Sequence, residues 1–407
     1  PHTGLVHPLR IESATVTAQE GLPIGTSLDW VTLEFAPEIA VPEDAWADWN
    51  ATDQVFITAA ERFPDGATAK IKSTVVYPAD LWDTVKYHDG SPISIADFIY
   101  TFIMFNFDPG KPESAIYDEA IAANTDAFLE NFKGARITST DPLTIEFYTD
   151  TWALDAELNV TTLFPAYNYG EAPWHSMAVA ALADENGELA FSADKADANE
   201  IEWTNLIGGP SLEILAKYLD QAEAESYIPF AATLGEYIAA DEAAARYANL
   251  KQWYADHGHF WVGTGPYMLD KVFLTEKTAT LKQFADHPDL SDRWAVYGAP
   301  KVAEVEVDGA GQASLGSEFT FDVFVTFNGE PYAGDEIKQV KAMLYDATGA
   351  IVYVTEGELV SDGQYLVTIP ADITGALEAG ASKMEVAVVP YPVSIPTFAA
   401  FEFVTIP

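Results

Sequence analysis

The chain has 407 residues, 49% of them hydrophobic and 13% aromatic, which excludes an intrinsically disordered polypeptide and allows two or three domains. Its 63 Asp and Glu residues against 20 Lys and Arg give a net charge of −43, which repels phosphate backbones and anionic lipid headgroups. We therefore expect neither nucleic acid nor a membrane surface as a partner. The absence of Cys excludes disulfides, thiol nucleophiles and Cys-ligated zinc.

The acidic residues are spread along the chain, a pattern typical of a solvated surface. Binding of cations or of a basic partner is the functional alternative, and adaptation to high salt is a third explanation, which the aromatic content does not favour. No apolar run approaches the roughly 18 residues that span a bilayer. The sequence starts at Pro1 without Met or a signal peptide, which indicates a processed chain or a piece of a longer one.

The first strong local pattern combines strand, turn and helix. Val75–Tyr87 has strand character interrupted by a proline, and His88–Pro92 contains the Asp-Gly pair of a turn. Ser94 and Asp97 have the spacing of a capping box, in which Asp replaces the usual Glu. A helix is predicted to follow, with one apolar stripe formed by Ile95, Phe98, Ile99, Phe102 and Ile103.

Both helical and strand periods continue beyond this helix. Arg136–Tyr148 alternates as a hairpin-like pair of strands around Asp141-Pro142. The Gly-Gly-Pro-Ser segment at 208–211 breaks the chain before a helix that carries Leu212, Leu215, Tyr218 and Leu219.

A further helix is predicted from Asp241, as its N-cap, to a left-handed stop at Gly258. Strands are predicted at Phe260–Leu269 and around Thr278–Phe284. Residues 1–299 therefore form a mixed α/β, or α+β, region without the regular βαβ repeat of a Rossmann fold.

The character of the sequence changes near Ala299-Pro300, after which Trp and helical patterns are absent. Turn signals separate seven alternating runs: Ala303–Val307, Glu318–Phe327, Lys341–Tyr345, Ile351–Val354, Gly363–Ile369, Met384–Val389 and Phe398–Thr405. About seven strands in roughly a hundred residues is typical of an immunoglobulin-like β-sandwich. We expect an all-β domain of this class at residues 300–407.

Three short segments carry a family resemblance. They are Val85–Pro92 with its helix opening at Ser94–Phe98, then Asp141–Phe147, then Gly263–Tyr267 with the sequence Gly-Thr-Gly-Pro-Tyr. In this order, these segments resemble the family-5 extracellular solute-binding proteins, the oligopeptide- and dipeptide-binding components of ABC importers. In that family an Asn-Pro-Asp-Tyr-Trp segment usually follows, and Asp286–Trp294 is similar to a degenerate form of it.

The resemblance implies a periplasmic-binding-protein-like fold of the peptide-binding class: an extracytoplasmic receptor of two lobes that binds an extended peptide and presents it to an ABC permease. The motif residues themselves either shape turns or contact ligand. In the family, a long stretch after the Gly-Thr-Gly-Pro-Tyr segment completes the lobes, whereas this chain passes into the sandwich. We therefore expect a missing portion of the receptor, or a receptor rebuilt for another purpose.

Aromatic residues are the candidates for a ligand-binding wall, because apolar concavities bind small molecules. Trp261, next to Gly263, is preferred, and Tyr267, Trp253 and Trp82 are the further candidates. The alternative for each is a place in the hydrophobic core.

Two segments are candidates for metal binding. Asp286, Asp289 and Asp292 recur every third residue, and such oxygen-rich loops can hold Ca²⁺, although a plain surface loop is the preferred explanation. His257-Gly258-His259 can hold a transition metal, or can simply end a helix, with His257 at its negative C-terminus.

No nucleophile elbow, phosphate-binding loop or zinc-protease motif occurs, so the sequence predicts a protein that is not an enzyme. The preferred hypothesis is a receptor for peptides or similar extended solutes. The alternative is an extracellular structural protein, such as a filament, sheath or surface-layer subunit, in which strands of the sandwich pair between copies and cations bridge the acidic surfaces.

Overall fold

The computed structural model describes residues 32–153, 159–167, 172–289, 300–393 and 395–407, together with the backbone alone of 14–18, 31, 170 and 171. The chain divides into two compact units, an N-terminal unit, Pro1–Leu290, and a C-terminal unit, Ser291–Pro407. Each unit has its own hydrophobic core. Within the described residues, no helix combines the length and apolar character that crossing a membrane requires.

One seven-stranded sheet organises the N-terminal unit, in the order β1-β2-β5-β7-β6-β3-β4. Neighbouring strands are antiparallel except for β1 and β2, which are parallel. Its strands are β1 Ala14–Ala18, β2 Val31–Ala40, β3 Trp46–Asn50, β4 Val55–Thr58, β5 Thr68–Val76, β6 Phe132–Thr140 and β7 Leu143–Thr149. Three short pairs lie outside it: β8 Ala166–Tyr167 with β9 Gly170–Glu171, β10 Leu189–Ala190 with β11 Glu202–Trp203, and β12 Tyr267–Phe273 with β13 Thr278–Gln283.

The predicted strand pair at 136–148 is confirmed as β6 and β7, joined at a cis Asp141-Pro142 bond. The prediction of strand over Val75–Tyr87 was wrong beyond Val76. The chain there enters a proline-initiated turn, in which the N–H of Leu81 donates to the carbonyl of Pro78, and a one-turn helix follows. Pro78 cannot donate to a sheet, so strand pairing ends before it.

The described part of the N-terminal unit also contains nine α-helices. They are α1 Ala59–Arg62, α2 Leu81–Thr84, α3 Ile95–Asn106, α4 Glu119–Asn131, α5 Trp174–Glu185, α6 Ala193–Asn199, α7 Ser211–Glu225, α8 Ala231–Leu234 and α9 Ala240–His257. A 3₁₀ turn at Asp108–Gly110 links α3 to the segment before α4. Helices α5, α7 and α9 pack against one another.

Helix α3 starts with the predicted capping box, in which the Ser94 side chain and the Asp97 carboxylate satisfy each other's backbone N–H groups. The predicted apolar stripe lies in the core, with Ile95 partly buried against it, but burial extends beyond the stripe to all nine consecutive residues 96–104. A helix that is buried on all sides is a central core element rather than a surface helix.

Helix α9 ends as predicted at Gly258, whose φ is +78°, a left-handed conformation that glycine adopts without a steric penalty. Its N-cap is Ala239 rather than Asp241, which lies in the first turn, where the helix dipole favours a carboxylate. The predicted strand at Phe260–Leu269 starts only at Tyr267. Before it, backbone groups bond outside any sheet, with the N–H of Phe260 donating to the carbonyl of Leu206.

The C-terminal unit is a β-sandwich whose two sheets have the strand orders β14-β16-β21-β20 and β15-β23-β22-β18-β19. The first order is that of the A-B-E-D sheet of an immunoglobulin fold, and the second contains its G-F-C order with an added C′ strand. Its strands are β14 Glu304–Gly309, β15 Gln312–Ser314, β16 Phe319–Phe327, β17 Glu330–Pro331, β18 Ile337–Tyr345, β19 Ile351–Glu356, β20 Glu358–Ser361, β21 Gln364–Ile369, β22 Gly380–Pro390 and β23 Thr397–Ile406. All seven predicted strands are present, and a five-residue helix, α10 Ala371–Gly375, was not predicted.

Two glycines allow a matched test of sandwich packing. Gly349 and Gly363 both have positive φ, +83° and +71°, but a Cβ on Gly349 meets open space whereas one on Gly363 lies 2.8 Å from the carbonyl oxygen of Val325. Gly349→Ala should lower the free energy of unfolding of the C-terminal unit by about 1 kcal/mol, through backbone strain alone. Gly363→Ala should cost about 1 kcal/mol or more beyond that, because the neighbouring backbone must move. Hydrogen exchange of peptides from the C-terminal unit checks the difference, and equal costs would contradict it.

Candidate functional site

The first and third motifs of the sequence contact each other directly through His88. Its Nε2 lies 2.9 Å from the carbonyl oxygen of Gly265, and the N–H of Gly263 donates to its Nδ1 at 3.2 Å. The backbone N–H of His88 also donates to the carbonyl of Gly263 at 2.9 Å. These partners fit a neutral imidazole with its proton on Nε2. Burial lowers the pKa of His88 to about 4, so the ring stays neutral in neutral solution.

A second buried contact joins the same turn to helix α5. The Asp89 carboxylate lies 2.8 Å from Nε2 of His175, and both side chains are fully buried. Burial opposes ionisation of Asp89, but the charge and hydrogen bond of His175 and the N–H of Ser91 outweigh it and lower the pKa of Asp89. These motif residues are therefore engaged in holding the turn, helix α5 and the segment before β12 together.

The four aromatic candidates have different surroundings. Trp253 is buried and stacks on His257, with ring centroids 3.8 Å apart, while Trp261 packs half-buried against the core. Trp82 is half-buried, and its Nε1 donates to the carbonyl of Thr140. Tyr267, at the start of β12, is 64% exposed. None of the four lines any of the three cavities described below.

The candidate metal ligands have other contacts. The Asp286 carboxylate pairs with Lys86 at 3.4 Å, and the carbonyl oxygen of Asp289 lies 3.5 Å from Nδ1 of His287. Asp292 lies outside the described residues, so the Ca²⁺ hypothesis remains a prediction. No group of three or more His, Asp or Glu side chains among the described residues is arranged to hold a metal ion.

The His257-Gly258-His259 segment shows how its imidazoles are used. Nδ1 of His257 lies 3.0 Å from the carbonyl oxygen of Asp270, and Nε2 of His259 lies 3.0 Å from that of Leu269. The second nitrogen of His259 accepts a hydrogen bond from the N–H of Trp261. Both nitrogens of His259 are thus occupied by backbone groups, which fits the structural alternative for this pair.

Cavities lie elsewhere in the N-terminal unit, around helices α3 to α6. An apolar cavity of about 300 Å³ is lined by Met104, Phe105, Pro109, Ile121, Asn124, Tyr167, Met177, Phe191 and Ser192. A second, of about 200 Å³, shares Phe105 and Tyr167 with the first and is otherwise lined mainly by aromatic and threonine side chains. Phe105 is 56% exposed, although it is a large apolar side chain at both cavities. Such apolar concavities with few polar groups are typical ligand sites.

A third cavity, of about 870 Å³, is acidic. Its described lining contains five carboxylates and one basic group, namely Asp118, Glu119, Asp184, Glu185 and Asp194 with Lys195. Two contacts place it next to the first apolar cavity. The consecutive residues Ala120 and Ile121 of α4 line the acidic and the apolar cavity respectively, and the N–H of Phe191, on the apolar side, donates to the Asp184 carboxylate at 3.1 Å.

Two carboxylates of the acidic cavity are buried. Asp184 is 4% exposed and pairs with Nζ of Lys195 at 2.5 Å. Burial raises the pKa of Asp184, and the charge of Asp118 raises it further against the effect of Lys195. Asp118 is 3% exposed; its Oδ1 caps helix α4 by accepting from the N–H of Ala120, while its Oδ2 has no hydrogen-bond partner within the described part of the chain.

The sequence did not identify these cavity residues, because α4 and α5 were not predicted. The available signal was Asp118 directly before Glu119–Asn131, an N-cap residue ahead of a segment with one acidic residue, Glu119, in its first turn. The weak apolar periodicity of that segment concealed the helix.

No protein-family model matches the chain, and no curated protein matches it. Parts of solved structures are similar to it. One is the CARDB domain of the PF1109 protein from Pyrococcus furiosus, at 14% identity, covering 26% of this chain and 88% of that one, with a TM-score of 0.18. A superoxide reductase from Ignicoccus hospitalis is 12% identical, and the match covers 28% of this chain and 89% of that one, with a TM-score of 0.20. The Lin-41 filamin domain is 14% identical, and the match covers 25% of this chain and 90% of that one, with a TM-score of 0.18.

Proposed function

We propose that this chain is an extracytoplasmic solute-binding protein of an ABC importer, which binds peptides or similar extended solutes without transforming them. Its main support is the presence of three neighbouring cavities in the N-terminal unit, two apolar and one acidic. Apolar concavities bind side chains, and a succession of them suits a ligand that is longer than one residue.

The resemblance of the sequence motifs supplies the rest of the proposal. It assigns the chain to the family-5 solute-binding proteins, with an ABC permease as the membrane partner. The contacts of His88 and Asp89 give these motifs a structural role, since they tie the turn at 88–92 to the Gly263–Tyr267 segment and to helix α5. The ligand then lies at the cavities rather than on the motif residues.

Peptide binding is tested by following thermal unfolding of the chain with mixtures of tri- to pentapeptides. A ligand present at a hundred times its Kd should stabilise the folded protein by about 2.7 kcal/mol. Free amino acids at the same concentration are the comparison, and a melting temperature that no peptide mixture raises would rule the proposal out.

Phe105→Ala should weaken peptide binding about tenfold, because it removes an aromatic wall shared by both apolar cavities. Its exposure of 56% means that little core packing is lost with it. Phe398→Ala is the matched control, since Phe398 is 59% exposed and lies in the C-terminal unit. Isothermal titration calorimetry checks the pair of variants, and equal affinities in both would locate the ligand elsewhere.

A structural role is the second candidate, and the edges of the sandwich favour it. Strands β19 and β20 each form one edge of one of the two sheets and expose apolar side chains, namely Ile351, Val352, Val354, Leu359 and Val360. Exposed apolar edge strands are templates for pairing with another chain. Sedimentation velocity of concentrated protein with and without Ca²⁺ distinguishes the roles, because a filament or surface-layer subunit should form a ladder of oligomers and a receptor should not.

A further inference from the structure

We infer that the two apolar cavities are paired side-chain pockets on the two sides of Phe105, which select a peptide with uncharged apolar residues, above all aromatic ones, at positions i and i+2. This inference rests on the proposed function and adds to it the class of residue and the spacing that the receptor prefers. Three observations carry it, namely the uncharged lining of both cavities, their size, and the place of Phe105 in both linings.

The lining of the two cavities selects against charge. Charged residues make up 20% of the chain, yet within its described part no charged side chain lines either cavity. A charged group that entered would lose its hydration without gaining a partner of opposite charge. The polar groups that are present are amides and hydroxyls, such as Asn124 and Ser192 in the first cavity and Thr101 and Thr161 in the second. The peptide residues held here are therefore uncharged.

The size and the aromatic lining of the cavities favour side chains with rings. Their volumes, about 300 and 200 Å³, both exceed the roughly 150 Å³ of an apolar protein cavity that binds benzene. In the second cavity, Phe128 and Phe147 contact Phe102 edge-on, with ring centroids 6.5 and 5.7 Å from it. A ring of the ligand can join this cluster in the same edge-to-face arrangement, which adds to the gain from burying apolar area.

Phe105 sets the spacing of the two peptide residues. The nine residues before it in α3 are buried, whereas Phe105 is 56% exposed and lines both cavities. Exposed apolar surface in a concavity is typical of a ligand site.

The geometry of an extended peptide fits this arrangement. Groups packed on the two sides of one ring lie roughly 7–8 Å apart, since the optimal contact between carbon atoms is about 3.5–4.0 Å. Side chains i and i+2 of an extended peptide point the same way and are about 6.6 Å apart, whereas i and i+1 point in opposite directions. Residues i and i+2 can therefore enter the two cavities with the peptide backbone crossing the exposed part of Phe105.

The test compares two tripeptides of the same composition with acetylated and amidated ends, Phe-Ser-Phe and Phe-Phe-Ser, by isothermal titration calorimetry with the full chain. Phe-Ser-Phe should bind at least tenfold tighter, because only its two rings can enter both cavities at once. Lys-Ser-Phe should also bind at least tenfold more weakly than Phe-Ser-Phe, despite the net charge of −43 on the chain. Decanoate separates a peptide from a lipid chain as the source of the apolar group, since tighter binding of decanoate than of Phe-Ser-Phe would overturn the assignment to a peptide.

Two variants change the pockets themselves. Phe105→Ala removes the ring between them and should bind Phe-Ser-Phe and Phe-Phe-Ser within about twofold of each other. Asn124→Phe should fill the first cavity and lower the affinity for Phe-Ser-Phe to that for Ser-Ser-Phe, because one pocket remains. Ala127→Phe is the matched control and should bind as the unmodified chain does. Asn124 and Ala127 are both exposed on α4, but of the two only Asn124 lines an apolar cavity.

The outcomes separate this inference from the proposed function. Equal affinities of the unmodified chain for the two isomeric peptides, or a preference that survives Phe105→Ala, would overturn the paired pockets while leaving peptide binding intact. If none of the peptides binds, the proposed function fails with them.

Discussion

Asp97→Asn is expected to lower the free energy of unfolding of the N-terminal unit by about 3–5 kcal/mol, the range found when one partner of a buried ion pair is removed. Asp97 is fully buried, and one of its oxygens lies 3.3 Å from Nη1 of Arg246, which is also buried. In the variant, Arg246 keeps its hydrogen bonds to the carbonyl of Pro92 and to Glu242. Glu242 is one-third exposed, so its charge is screened by water and compensates the guanidinium only in part.

The substitution keeps the shape of the side chain, so that the measured loss reports charge rather than packing. Asp97 also accepts hydrogen bonds from the N–H groups of Ser94 and Trp174, and an amide oxygen can retain one of them. Urea unfolding followed by Trp fluorescence measures the effect, because nine of the ten Trp residues lie in Pro1–Leu290. Asp126→Asn, which changes an exposed carboxylate of helix α4, is the control and should change the free energy of unfolding by less than about 0.5 kcal/mol. A similar loss in Asp97→Asn and Asp126→Asn would contradict the prediction.

A double variant separates the two explanations of such a loss. Arg246→Met removes the buried positive charge, and adding it to Asp97→Asn should recover part of the lost stability, since replacing both members of a buried pair by neutral groups costs less than replacing one. A double variant that is less stable than Asp97→Asn alone would mean that the stacking of Arg246 on Trp174, at 5.5 Å, and its other hydrogen bonds matter more than the charge.

Sequence reasoning succeeded where the determining hydrogen bonds are local. The capping box of Ser94 and Asp97, the glycine stop at Gly258 and the seven strands of the sandwich all follow from patterns within a few residues. It failed at Phe260–Leu269, where the backbone N–H of Gly263 donates to His88, 175 residues earlier in the chain. The sequence showed both segments but not that they meet.

The candidate site was harder to predict, because aromatic residues serve the core as readily as a cleft. Sequence reasoning favours Trp253 as a wall residue, yet it is 4% exposed in the core, and it gives no reason to select Phe105, which lines two cavities. Asp118 was one of 63 acidic residues in the sequence. What distinguishes it is burial together with one oxygen that lacks a partner, and both depend on the packing of α4 against the rest of the unit.

The second large effect is expected from pH. The N-terminal unit should lose about 2 kcal/mol of stability from His88 alone between pH 8 and pH 5, before the isoelectric region near pH 4.1 is reached. Burial lowers the pKa of His88 to about 4 in the folded protein, against about 6.5 in the unfolded chain. The unfolded state therefore binds more protons between these values, and stability is fully present above pH 6.5 and falls as the pH is lowered towards 4.

Protonation has a specific structural consequence, since Nδ1 of His88 accepts a hydrogen bond from the N–H of Gly263 and loses that ability when it is protonated. His88→Gln removes the titration but keeps a donor within reach of the Gly265 carbonyl. It should be about 1–3 kcal/mol less stable than the unmodified chain at pH 8, because the N–H of Gly263 loses its acceptor, yet it should depend less on pH.

His259 has the same arrangement, with Nε2 at the carbonyl of Leu269, and burial lowers its pKa to about 4 as well. Part of the slope against pH therefore survives in His88→Gln, and titrating carboxylates contribute to both proteins. The difference between the two urea-unfolding series isolates His88, and an NMR titration of the seven histidines identifies its pKa from the resonance that the variant lacks. Identical slopes between pH 8 and pH 5, or a His88 resonance that titrates near 6.5, would show that the contact between the turn at 88–92 and the Gly263–Tyr267 segment does not hold the ring neutral.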